Sequence, residues 1–477
     1  MPEVSPPAAQ ARTAAARAPR AHDDWLFSVV VGLVALLPRL FVAIAWAREP
    51  VWDGHYYHFG AERIAAGLGY SEDVIVNGHA LWKPWAHYPV GYSGLLAGVY
   101  RIFGSGLVVA PIVNAIIGTL LVVVVHRLGR YYLGTNRARI AAGITALHPG
   151  LIAYCAVVMT EPLAALLLMA AALCALRWRG QWLGVVLAGL TLGLAVLVRP
   201  SALLAAPLIA LTQPKPAWQA LLRGALATAI AFVVVLPWSL RICRVMDGCA
   251  FVSTNGGWNL AIGAITQTGR FTTLHASDGC PVVTGQVEQD RCWAKVGEKI
   301  ILAHPGHWIG MMPKKLAENF DHESFAIEYL HEADPITWPE QRRVAGRGLL
   351  TLFHRLLMVV AALGVVALAD WRKQPKREWI TQLGLVALVC GLGLYSFLAL
   401  QHPFYLLVVL TPLIGLVPLP GRPRQGPAGW YLLGLVAVTA LTHAVFFGDD
   451  RYHLLVTPVL CLLAAAALRP SRAAAKR

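Results

Sequence analysis

PVGYSGLLAGVYRIF, residues 89–103, is the stretch on which the topology of this chain turns. It is apolar enough to tempt a reading as a membrane span, but it is short and carries Arg101 inside it. A helix needs roughly 20 apolar residues to cross a ~30 Å hydrocarbon core. Counted as a span, it would move Arg127, Arg130, Arg137 and Arg139 to the outer side and reverse everything after them. Read as an interfacial or re-entrant helix, it leaves those arginines on one side with Arg177/Arg179, Lys215/Arg223, Arg372/Lys373/Lys376/Arg377 and Arg422/Arg424. Short connections rich in Lys and Arg face the cytoplasm. The interfacial reading follows, and both termini, with Arg469, Arg472, Lys476 and Arg477, fall on that same side.

Outward from this segment the chain is a succession of apolar runs, near 25–46, 107–126, 139–157, 160–176, 181–198, 200–212, 220–238, 349–369, 379–400, 403–419, 429–447 and 453–468. It is 57% hydrophobic and only 14% charged, too little charge to cover the surface of a soluble protein of 477 residues. Inside lipid such runs must be helical, because each backbone donor needs an acceptor within its own segment. The expected fold is an all-α polytopic membrane protein of about 12 transmembrane helices (11–13), with an interfacial first outer loop and a small mixed outer lobe. The expected divisions are a disordered cytoplasmic tail at 1–22, a transmembrane module at 23–238 with the outer loop 47–106, an outer lobe at 239–348, further transmembrane helices at 349–468, and a tail at 469–477. Arg12, Arg17 and Arg20 before the first run resemble a signal peptide, but that run is longer than the usual signal core, so an uncleaved first span is expected.

The formal net charge of +15 invites a nucleic-acid reading. The basic residues stand in short clusters between apolar runs instead of along one soluble face, which makes them a topology signal and argues against nucleic acid. Cys243, Cys249, Cys280 and Cys292 all fall in the long outer loop, where an even number in an oxidising compartment points to two disulfides of open connectivity. Cys155, Cys174, Cys390 and Cys461 lie in or beside spans as small apolar residues.

Polar residues collect at the outer ends of the spans. Asp53, flanked by Trp52, Tyr56 and Tyr57, is either a partly desolvated general base or an ordinary interfacial acid beside an aromatic belt. Glu161 follows Thr160 at the mouth of a span, where an acid suits the helix dipole and the threonine can cap. Arg199 divides two spans, and either holds an anionic headgroup or snorkels. Arg451, next to Tyr452, can grip a phosphate through parallel N–H donors or pair with Asp449 and Asp450. Lys83, His87, Arg241, Arg270, Lys314 and Lys315 are further outer cations or potential cations. STNGGWNLAIGA, residues 253–264, offers Asn255 and Asn259 in what reads as a tight turn. No metal motif is present: HExxH is missing, and Pro305 separates His304 from His307. Walker A and GxGxxG patterns are missing too, so substrate activation must come with a lipid-soluble donor or a gradient.

Taken in order, Asp53 with the stretch Ala61–Ser71, HYPVGYSGLLAGVYRIFG at 87–104, TEP at 160–162, LVRP at 197–200, PWSLR at 237–241, STNGGWNLAIGA, HPGHWIGMMPKKL and DDRYHLLVTP at 449–458 resemble the GT-C superfamily of lipid-carrier-dependent glycosyltransferases. The likeness is to bacterial relatives of protein O-mannosyltransferases and of aminoarabinose transferases. It departs from them at His87, which stands where a lysine is common, and at Tyr88, which precedes Pro89 in place of a second proline. Trp52 and Gly54 flank Asp53 where protein O-mannosyltransferases carry a second acid. The resemblance implies inverting transfer of a sugar from a polyprenyl-phosphate donor to an acceptor hydroxyl at the periplasmic face of a bacterial inner membrane. It implies Asp53 as base, with Tyr57, Lys83, His87, Glu161, Arg199, Arg241, Asn255, Asn259, Arg270, Arg451 and Tyr452 as substrate-binding candidates. No cofactor is required on this reading, a divalent metal is left open without a motif to support it, and the acceptor, whether glycan, lipid or protein, is left open too. The rival readings are a transporter or lipid flippase, which would show repeats and discontinuous helices near the midplane, and an O-antigen ligase or polymerase using a lipid-diphosphate donor.

Overall fold

A computed structural model describes residues 24–281, 285–366, 376–417 and 425–468. The tails at 1–22 and 469–477, and the basic residues Arg372, Lys373, Arg422 and Arg424, lie outside the described residues, as do the side chains of Lys376 and Arg377.

The chain is helical almost throughout. The first half runs α1 (Trp25–Ala45), α2 (Asp53–Ala65), a hairpin of β1 (Ser71–Val76) and β2 (His79–Pro84), α3 (Val90–Phe103), α4 (Val109–Leu133), α5 (Thr135–Leu147), α6 (Pro149–Ala153), α7 (Glu161–Arg177), α8 (Trp182–Val198), α9 (Ile209–Thr212) and α10 (Ala217–Val245). The outer segment holds α11 (Gly256–Ile265), α12 (Gln286–Ala303), α13 (Pro305–Phe320) and α14 (Phe325–Ala333). Then come α15 (Glu340–Val366), α16 (Lys376–Leu398), α17 (Tyr405–Leu416), α18 (Pro427–Val445), a 3₁₀ turn at Asp450–Leu455 and α19 (Thr457–Ala466).

Among the described residues, six helices are long and apolar enough to cross a membrane: Trp25–Ala45, Val109–Leu133, Ala217–Val245, Glu340–Val366, Ile380–Leu398 and Pro427–Val445. Their outward faces are apolar, as Leu33, Leu37 and Phe41 on α1 show, each more than half exposed. An apolar face of that extent is a lipid-facing surface in a polytopic membrane protein. Helix α3 has 14 residues, about 21 Å at 1.5 Å per residue, too short to cross. It packs against α2 and α8, with Gly91 so close to the backbone of Leu197 and Val198 that a Cβ would collide.

Several expected spans are broken. The run at 139–157 ends as α5 at Leu147, passes through extended His148, and restarts at Pro149 as α6. Proline disfavours helical backbone in the residue before it and is itself at home in a first turn. The break frees carbonyls at the end of α5, and Arg39 on α1 satisfies them, its guanidinium donating to Thr145 O at 2.9 Å and Ala146 O at 2.8 Å. Arg39 is fully buried, so an arginine inside a span here serves as a helix-end cap. The run at 200–212 is likewise a 3₁₀ turn (Pro200–Ala205) followed by the short α9, and the run at 453–468 is helical only from Thr457.

Two expectations for the outer loops are corrected. The lobe at 239–348 is not mixed: its described residues form helices and turns without a strand. Strands instead form in the first outer loop, where Asn77 and Gly78 at φ 51° and 80° turn β1 back onto β2 with Val76 opposite His79. Asn-Gly is the preferred pair for such a two-residue turn because both positions need positive φ. The second correction concerns residues 253–264, which are not a tight turn: Asn255 precedes α11, and Asp290 from α12 accepts from the free N–H groups of Gly257 (2.7 Å) and Trp258 (3.3 Å). Disulfides join Cys243 to Cys249 and Cys280 to Cys292, tying the end of α10 to the loop after it and the segment between α11 and α12 to α12 itself.

Candidate active site

Asp53 is the first residue of α2, preceded by Trp52 at φ 50°. Gly54 lets this helix start lie against the Tyr329 hydroxyl and the Val158 carbonyl, where any Cβ would clash. The Asp53 carboxylate thus faces inward with both oxygens engaged. Oδ1 accepts from the Tyr88 hydroxyl at 2.7 Å, and Oδ2 from Arg451 Nη1 at 2.6 Å. Burial alone would raise this carboxyl, but the Arg451 cation and the Tyr88 hydrogen bond outweigh it and hold Asp53 below the ordinary carboxylate range. Burial, then the Asp53 charge, pushes Tyr88 the other way, so its phenol keeps its proton and donates.

A second pair lies beside the first. Arg199 Nη1 donates to Glu161 Oε1 at 2.6 Å and to Thr160 Oγ1 at 3.3 Å. Glu161 is fully buried, and its other oxygen has no hydrogen-bond partner among the described residues. Thr160 therefore spends its hydroxyl on Arg199 and makes no side-chain cap on α7. The Tyr452 ring links the two pairs, with the Arg199 guanidinium 4.8 Å and the Arg451 guanidinium 5.0 Å from its centroid. His443 stacks on the same ring with centroids 4.2 Å apart. Arg451 also reaches Asp449, Nε to Oδ2 at 3.5 Å. Of the two readings open for Arg451 in the sequence, a phosphate grip or pairing with Asp449 and Asp450, the structure shows pairing with Asp449 and, from far earlier in the chain, with Asp53.

These groups line one cavity of about 640 Å³, within the usual size for a small-molecule site. Asp53, Tyr57, His87, Glu161, Arg199, Asn255, Asn259, Arg451 and Tyr452 all contribute to its wall. Leu204, Phe251 and Phe271 also line it and are themselves exposed, so the wall carries apolar as well as polar side chains. Three sequence candidates are elsewhere. Lys83 sits on β2 opposite Glu72. Arg241 donates to the carbonyls of Tyr70 (2.7 Å) and Trp85 (3.4 Å) and lies over Trp238. Arg270 is an exposed partner of Glu318. Nor does Lys315 face the cavity: buried, it donates to Val445 O at 3.1 Å. Tyr88 and His443 are wall residues that sequence reasoning passed over; the Tyr88–Pro89 departure from the family pattern was the available signal for the first. Away from the cavity, Glu323, His354 and His453 form a buried group able to hold a metal ion.

Residues 87–240 match the family model described as dolichyl-phosphate-mannose-protein mannosyltransferase. The matched stretch contains His87, Tyr88, Glu161 and Arg199, and it bears out the resemblance to GT-C glycosyltransferases. Asp53 and Arg451 lie outside it. Among solved structures, the chain is similar to the Archaeoglobus fulgidus oligosaccharyltransferase tethered with an acceptor peptide (16% identity, TM-score 0.47, 93% of this chain and 49% of that one). It is also similar to ArnT from Cupriavidus metallidurans bound to undecaprenyl phosphate (16% identity, TM-score 0.36, 93% and 77%). The chain thus spans about half the length of the archaeal enzyme. No curated protein matches it.

Proposed function

We propose that this protein is a membrane glycosyltransferase that moves a sugar from a polyprenyl-phosphate donor to an acceptor hydroxyl, with inversion, at the periplasmic face of a bacterial inner membrane. The observation that carries the proposal is the Asp53–Arg451 pair in a cavity that is also lined by exposed apolar side chains. The pair places a carboxylate able to act as base and a guanidinium able to hold an anion in one cavity, where a bound phosphate would part them. The family match over residues 87–240 supports the donor class.

The donor's tail is too apolar to leave the bilayer, so its phosphate meets the cavity at the interface. Arg451 and Arg199 face that cavity beside the acids, with Arg291 also on its wall, and a guanidinium suits a phosphate through two parallel N–H donors. As the phosphate binds, it competes with Asp53 for Arg451. Losing that partner leaves burial to dominate, which raises the proton affinity of the carboxylate when the acceptor hydroxyl arrives. Asp53 then takes the hydroxyl proton, the oxygen attacks the anomeric carbon from the side opposite the phosphate, and the arginines stabilise the departing phosphate monoester. His87, Asn255 and Asn259 stand on the wall available to the sugar or acceptor hydroxyls.

The test is transfer from labelled polyprenyl-phosphate sugars in the presence of an envelope extract, comparing wild type with Asp53→Asn. Loss of the base is expected to slow turnover about 10²–10⁴-fold with donor binding changed far less. Undiminished transfer by Asp53→Asn would remove Asp53 as the base.

A further inference from the structure

Behind the 3₁₀ turn that carries Arg451 lies a second group of polar side chains, separate from the cavity wall. Glu323 comes from the link between α13 and α14, His354 from α15, and His453 from the turn itself, two residues after Arg451. All three are buried, and one ligand atom from each lies within 4.8 Å of the others. Neither oxygen of Glu323 has a hydrogen-bond partner among the described residues, and the same holds for His354 Nδ1 and His453 Nε2. Buried polar atoms without partners are costly, and four converging from three segments call for an occupant.

The outer nitrogens of the two imidazoles indicate which kind. His354 Nε2 is 3.0 Å from Phe320 O, and His453 Nδ1 is 2.9 Å from Asn319 O. A carbonyl only accepts, so each of these nitrogens carries the proton and the inner nitrogen of each ring presents a bare lone pair. Metal-ligating histidines are oriented in this way, the second N–H bound to a backbone carbonyl that fixes tautomer and ring direction. Both carbonyls come from successive residues at the end of α13, so one helix terminus sets both rings. Gly150 completes the arrangement, since a side chain there would collide with the Glu323 carboxylate. His148 is not a further ligand: its Nδ1 accepts from Leu151 N at 3.2 Å, which leaves the proton on Nε2.

We propose that Glu323, His354 and His453 bind one divalent transition-metal ion, with Zn²⁺ the best match, as a clasp holding the Arg451 turn against α15 and the α13–α14 link. Two imidazole nitrogens and one carboxylate are a common zinc donor set, with a fourth position left for water. Tetrahedral ligation places donor atoms about 3.4 Å apart, so the three segments close slightly on the ion. The same link already meets the turn through Asp450, whose Oδ2 accepts from Ser324 N, from Ser324 Oγ at 2.8 Å and from Phe325 N at 2.9 Å. The ion is thus a positioning element for Arg451 and takes no part in the chemistry proposed for Asp53.

The experiment uses the full chain purified in detergent, stripped with a chelator, titrated with Zn²⁺ and desalted before elemental analysis. One retained zinc per chain is expected, with X-ray absorption at the zinc edge showing two imidazoles and no sulfur. Glu323→Gln and His354→Gln are expected to weaken retention at least about tenfold. A wild-type chain that retains no zinc overturns the proposal, as would be the case if a protonated Glu323 filled the gap. Sulfur ligation, or equal retention by both variants, overturns it as well. The wild-type stoichiometry and spectrum stand even where a variant does not fold.

Discussion

At the scale of single residues, the decisive feature is that Asp53 is not a free carboxylate. Its folded value is depressed because Arg451 and Tyr88 outweigh burial. A group depressed in this way contributes stability above the ordinary carboxylate range and loses it as pH falls through the folded value. Removing Arg451 leaves burial unopposed by its strongest partner, so the carboxyl rises. Arg451→Ala is therefore expected to lower turnover and also to move the acid limb of the kcat/KM profile to higher pH, read by rate measurements across pH. An acid limb in the wild-type position would show that the limb does not report Asp53. The sequence exposed each of these residues as a polar group at an outer span end, but not their pairing. Arg451, Arg241 and Arg270 are equivalent to a hydropathy reading. Only packing shows that the first faces Asp53, the second caps two backbone carbonyls, and the third meets Glu318 in solvent.

At the scale of elements, periodicity served best where a helix has one wet face. Apolar residues recur at helical spacing over 288–302 and 308–320, which predicts helices there, and the bounds of α12 (Gln286–Ala303) and α13 (Pro305–Phe320) lie within three residues of those limits. It served worst where an apolar run is uniformly buried, because composition alone does not register a break such as His148–Pro149. The β1–β2 hairpin has its signal in Asn77–Gly78, a pair that a topology reading of this loop does not use. The buried break makes a prediction about Arg39. Arg39→Met keeps the apolar stem and strips two donors from the end of α5, leaving Thr145 and Ala146 carbonyls unpaired. A loss of about 1–3 kcal/mol per unsatisfied group is the ordinary cost. It is measurable as a lower unfolding temperature in detergent, and an unchanged transition would mean that water or a shifted helix end replaces the guanidinium.

At the scale of the whole molecule, hydropathy fixes the class, and the orientation proposed from the short basic clusters rests on α3 not crossing. Reporter fusions test this directly. A periplasm-dependent phosphatase joined in the 239–348 segment is expected to be active, and a cytoplasm-dependent fluorescent protein joined after residue 130 or 177 is expected to fluoresce. The opposite pattern after residue 130 would make α3 a span and reverse the outer side. What no reading of local sequence supplies is the convergence of α2, α7, α8 and the 450–455 turn on one cavity, since each contact joins segments far apart in the chain.

That separation has a consequence for biosynthesis. Asp53 and Arg451 stand 398 positions apart, and at roughly 5–20 residues per second a ribosome makes them about 20–80 s apart. During that interval the growing chain is already threading into a membrane that, on the proposed chemistry, contains its donor. Without Arg451 it has no completed grip on the donor's phosphate. On the proposed chemistry, catalysis is thus withheld until translation has passed residue 451, and a message cut short anywhere before it yields an inert product instead of an enzyme that wastes activated sugar.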